Sequence, residues 1–132
     1  MGTDHRDRQL WQRLQTAADQ EVEALVRRLP ADLRDKARAI PVTYEPFPTQ
    51  EMVDDDKLDP DLLGLFVGNC YAEGESDGGD LPPQILLFLV SLWDYTDHCE
   101  KDFRDEVSRT YLHELGHYLG LDEGDLEARD LD

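Results

Sequence analysis

The stretch from Ile85 to Trp93, ILLFLVSLW, is apolar throughout except for Ser91. A run of that length behind Pro82 and Pro83 predicts a central strand buried on both faces, and the rest of the chain must be arranged around it. Residues 7–29 carry Trp11, Leu14, Ala18, Val22, Leu25 and Leu29 at steps of three and four, the period of one face of a long amphipathic helix. Pro30 ends that pattern, and ADLRDKARA behind it can hold a second, short helical stretch. Ile40, Val42 and Tyr44 read as a strand closed by Pro46 and Pro48. DLLGLFVGN, residues 61–69, is a further strand candidate, although its Gly64 and Gly68 suit a loop equally well.

Between these segments the chain is acidic. Thr49 to Pro60, with Asp54, Asp55, Asp56 and Asp59, predicts a solvated loop; a calcium loop would need a regular D-x-D-x-D-G pattern, and the glycine is missing. YAEGESDGGD, residues 71–80, reads as a second flexible acidic loop. Asp97 and Glu100 have the spacing of a capping-box start, and a helical pattern follows from about His98 to Leu119, where Gly120 supplies a stop. Helix, three strands and helix in that order predict one small α+β domain over residues 1–132.

With 31 Asp and Glu against 13 Lys and Arg, the 132-residue chain has a net charge of −18. Such a field repels nucleic acid and anionic membranes and favours basic peptides or proteins as substrates or partners. A hydrophobic share of 39% is enough for a modest core, and no apolar run reaches the roughly 18 residues of a membrane span. The first residues, MGTDHRDRQLWQR, also lack a signal peptide's apolar stretch, so a soluble, cytoplasmic protein is expected. In a reducing compartment Cys70 and Cys99 are expected to be free thiols, and neither has the C-x-x-C spacing of a thiolate zinc site.

The chemistry lies in HELGH: His113, Glu114, Leu115, Gly116 and His117. On a helix, residues four apart are about 40° apart around the axis, so both imidazoles can reach one ion. Zinc is well suited to such a nitrogen pair. Glu114 lies about a quarter turn round, within reach of a water on that metal without itself being a ligand. Val107, Tyr111, Leu115 and Tyr118 cluster about 150° from the histidines, so packing uses a different face of the helix. A catalytic zinc usually has three protein ligands, and Asp122, Glu123, Asp125 and Glu127 all follow closely enough to provide the third.

The segment HELGHYLGLDE, residues 113–123, resembles the zinc helix of zincin-like metallopeptidases. Within them it is most similar to the short bacterial family of minimal zinc-dependent proteases. The N-terminal amphipathic helix, few strands and near-terminal zinc helix extend the resemblance loosely over most of the chain. The resemblance implies a small zincin-like α+β domain, a zinc cofactor held by His113 and His117, and hydrolysis of peptide bonds by a metal-activated water with Glu114 as general base. In the metzincin pattern H-E-x-x-H-x-x-G-x-x-H the third ligand stands six residues after the second histidine, and here that position is Glu123, with Asp122 its close competitor.

Only nine residues follow Glu123, so neither a Met-turn nor a downstream oxyanion-stabilising domain is available within this sequence. An oxyanion donor must come from upstream, where Tyr44, Tyr71, Tyr95 and His98 are candidates. A chain without an efficient donor would instead be a zinc-stabilised interaction or regulatory module.

Overall fold

A computed structural model describes residues 2–55, 61–68 and 83–120. Helix α1 spans Gly2–Arg28 and α2 Ala31–Ala39, followed by strand β1 at Val42–Glu45 and a short helix α3 at Gln50–Asp55. Strands β2 at Gly64–Val67 and β3 at Gln84–Phe88 lead into α4 at Leu89–Tyr95 and α5 at Glu100–Leu119. The three strands form one mixed sheet in the order β1-β3-β2. β1 runs parallel to β3 with Val42 opposite Ile85, and β2 runs antiparallel with Gly64 opposite Leu87. The expected central strand and α+β class are both present.

The apolar run nevertheless does not stay extended. It is a strand only to Phe88 and then turns into α4. Leu89, Leu92 and Trp93 are buried, at the i, i+3, i+4 spacing of a helix, whereas Val90 and Ser91 are half-buried and both give their N–H groups to the Pro46 carbonyl, at 3.1 and 3.2 Å. The helical period is present in the last five residues but hidden by the uniformly apolar composition.

The acidic loop expected after Thr49 also contains structure. Thr49 accepts the Met52 N–H on Oγ1 at 3.1 Å and the Val53 N–H on its carbonyl at 3.0 Å, which starts α3 as a serine or threonine N-cap does. Asp56 and Asp59 lie outside the described residues, as does the 71–80 loop. α5 begins at Glu100, without a side-chain cap, because Asp97 and His98 both have left-handed backbones (φ 56° and 61°) that close α4. In that closure the His98 N–H donates to the Trp93 carbonyl at 2.9 Å, so the expected capping box does not form. Gly120 does end α5 as expected, with φ 73° and ψ 24°, a conformation that favours glycine.

The core lies between the sheet and the helices. Leu14, Ala18 and Leu25 bury the predicted face of α1, with Trp11 and Val22 partly covered, and Leu29, just past its end, is buried as well. α1 packs along α5, and α5 in turn lies against β2 and β3. Phe103, Val107, Tyr111 and Leu115 form the α5 side of this core and are each at most 1% exposed. No helix among the described residues is long and apolar enough to cross a membrane.

One glycine sets the distance between α5 and the sheet. A Cβ on Gly64 would stand 2.6 Å from Thr110 Cγ2 and 3.3 Å from the Leu86 carbonyl oxygen. Gly64 is therefore a strand residue at a close crossing, not a loop residue. Gly64→Ala is expected to cost about 1–3 kcal/mol through this overlap. Adding Thr110→Ser removes the colliding methyl and should recover most of the loss; equal urea midpoints for wild type and Gly64→Ala would show that the crossing is loose.

Candidate metal centre

The second half of α5 carries the site. Its buried face holds the helix against the sheet at Thr110 and against β2 through Tyr118, whose ring lies 5.7 Å from Phe66. The face next to it is left open, and there His113 and His117 are both exposed. Their ring centroids are 4.5 Å apart. Glu114, between them in sequence, is only 8% exposed because it lies on the side turned toward β2 and the core.

His113, Glu114 and His117 each offer a donor atom within 4.8 Å of the others, and among the described residues this is the group of histidine, cysteine and acidic side chains suited to a metal ion. The chemistry of the set fits zinc: two neutral imidazole nitrogens with an adjacent carboxylate. Glu114 Oε1 lies 3.3 Å from His117 Nδ1, an i,i+3 contact that orients the ring and engages one of its two nitrogens. The structure thus brings together the three residues expected from HELGH. Asp122, Glu123, Asp125 and Glu127 lie outside the described residues.

Of the residues considered as oxyanion donors, Tyr44, Tyr95 and His98 are not brought to this face. Tyr44 donates its hydroxyl hydrogen bond to Asp19 of α1. It interacts electrostatically with Tyr111, on the α5 face that points away from the histidines. His98 contacts Asp94 at 2.8 Å and stacks on Trp93, just before α5 begins. From Glu100 to His113 the helix rises about 20 Å, so His98 cannot reach the pair. Tyr95, 64% exposed, belongs to the same remote end, and Tyr71 lies outside the described residues. Cys99, at that end too, is a free and exposed thiol; Cys70 lies outside the described residues.

Both tyrosines at the α1–α5 seam hold their protons tightly. Burial pushes Tyr44 well above the ordinary phenol range, and its bond to the Asp19 carboxylate adds to this. Burial, with the charge of Glu23, pushes Tyr111 up to about 12. Since these folded values exceed the unfolded value of about 10, their contribution to stability is complete below pH ~10; that of Tyr111 is lost as pH rises through about 12, and that of Tyr44 at still higher pH. Urea midpoints should therefore fall steeply above pH ~10, and less steeply for Tyr44→Phe; identical alkaline slopes would assign the effect elsewhere.

A feature that local spacing does not reveal is where β2, which falls within the strand candidate at residues 61–69, sits in the sheet. It pairs with β3 along one side and, among the described residues, is the last strand of the sheet on the other, so it presents an edge beside the open face of α5. Gly68, with φ 106°, ends this strand.

The match to known families agrees with the geometry. The family model for zincin-like metallopeptidases matches residues 37–132, from within α2 through β1, β2, β3 and the whole of α5. A comparison with curated proteins finds no match. With more than half of its length covered by that family model and with its histidine pair and glutamate converging on one helix face, the chain belongs to the zincin-like metallopeptidase family.

Proposed function

We propose that the protein is a zinc-dependent metallopeptidase that hydrolyses peptide bonds with Glu114 as general base. The observation that carries this reading is the convergence of His113, Glu114 and His117 within 4.8 Å on a helix face beside a sheet edge. His113 and His117 would hold the metal, and Glu123 is proposed as the third ligand. Zinc, when bound, lowers the pKa of water to about 7 and polarises a carbonyl group.

The protein's own groups supply the remaining functions. Among the described residues no strand flanks β2 on its outer side, and an extended peptide can add there as a further strand. This fixes the scissile carbonyl relative to α5 and limits its motion. Glu114, largely shielded from solvent, accepts a proton from the attacking water on a carboxylate oxygen and delivers it to the leaving amine nitrogen.

The test is metal content combined with zinc-dependent cleavage. The purified protein is expected to retain stoichiometric zinc, to cleave members of a broad peptide library, and to lose both properties on chelation or in His113→Ala. Retained zinc without any zinc-dependent cleavage would replace this reading with that of a zinc-stabilised interaction module.

A further inference from the structure

We propose that Glu106 selects the substrate at this site by binding an Arg or Lys side chain about three residues from the scissile bond, toward the Gly64 end of β2. The inference rests on the peptidase reading, since it concerns the peptide held along the same groove. Glu106 precedes His113 by seven residues, about two turns, so it lies within about 20° of that histidine around α5 and about 10 Å along the axis. An extended peptide advances about 3.3 Å per residue, which converts that distance into about three residues.

The crossing with β2 establishes which end of the groove this is. Thr110, one turn from Glu106, is the residue against which Gly64 fits, with its Cγ2 only 2.6 Å from where a Cβ would be. Thr110 Oγ1 donates to Glu106 Oε2 at 3.4 Å and so holds the carboxylate near the start of the edge strand. Val107 and Phe103, on the core side of the same turns, are fully buried, so the helix cannot roll to carry Glu106 elsewhere.

The carboxylate is also available for exchange. Its side chain is 15% exposed, and Oε1 accepts a bond from Arg109 at 3.1 Å, whose own side chain is 74% exposed. An ion pair with so exposed a cation contributes little, because water competes for the guanidinium throughout. A peptide lying on β2 excludes that water and places its own cation in a less polar setting, where a guanidinium can bind a carboxylate through two parallel hydrogen bonds. The overall charge of −18 attracts any cationic peptide, whereas Glu106 confers a preference at one position.

The test uses the full chain loaded with zinc and a neutral peptide series in which a single Arg is stepped through successive positions. Wild type is expected to favour, by about tenfold over the Gln-substituted peptide, those peptides cut about three residues from the Arg. In Glu106→Gln this ratio should fall to near one, in Glu106→Lys it should turn toward Glu-containing peptides, and Glu106→Asp should restore part of it, all at equal zinc content. Parallel affinities are measured on zinc-loaded Glu114→Gln, which binds without turnover. An Arg preference absent from wild type, or unchanged in Glu106→Gln, overturns the role of Glu106. A Glu106-dependent Arg preference in affinity without cleavage by wild type upholds Glu106 as the recognition residue and overturns the peptidase reading instead.

Discussion

Glu114→Gln is expected to lower peptide cleavage by about 10²–10⁴-fold while leaving zinc content and thermal stability close to those of wild type. The amide has nearly the shape and helix propensity of the carboxylate, and Glu114 is held in a mostly buried position on α5 where shape matters. Its Oε1 lies 3.3 Å from His117 Nδ1, and an amide oxygen can occupy the same place beside the ring, so the orientation of the ring survives. What is lost is basicity: an amide cannot take a proton from water at neutral pH. Cleavage and zinc must be measured on the same preparations. Cleavage unchanged by the substitution would assign the activity to a contaminant or to another base, and zinc lost with cleavage would make Glu114 a structural partner of the metal.

The second large effect concerns the third ligand. Glu123→Ala is expected to weaken zinc binding by more than the roughly 10–100-fold typical of losing an outer-shell partner, since it removes a direct ligand. Asp122→Ala should retain the metal. The expectation comes from the six-residue spacing after His117 and from Gly120, whose left-handed backbone ends α5 and leaves three residues for the chain to swing back. Zinc titration of the two variants decides between them, and loss in Asp122→Ala with retention in Glu123→Ala would reverse the assignment. Because cleavage should follow zinc occupancy, the Glu123 variant is expected to be inactive as well.

Several features are legible in the amino-acid sequence because each depends on local geometry. The α1 core face and the separation of the histidines from Val107, Tyr111, Leu115 and Tyr118 follow from 3.6 residues per turn, and the Gly120 stop from glycine's freedom to take a left-handed backbone. Features requiring a partner in space are less legible. Ile85–Trp93 is apolar at every step but one, so its composition does not distinguish an extended run from a strand that ends at Phe88 and becomes a helix. Asp97 has the spacing of a cap, yet the left-handed turn at Asp97 and His98 that closes α4 leaves Cys99 at the α5 N-cap position.

The same division holds at the site. His113, Glu114 and His117 meet because one helix turn brings residues four apart to the same side, so the constellation is written into five consecutive residues. Tyr44, Tyr95 and His98 cannot be placed that way, because their distance from the histidines depends on how β1, α4 and α5 pack. Packing turns Tyr44 to Asp19 and leaves His98 at the far end of α5. The close crossing of Gly64 and Thr110 likewise joins residues 46 positions apart and sets β2 alongside α5. A helical motif carries its own geometry, whereas a groove exists only once two distant segments have buried their apolar faces against a common core.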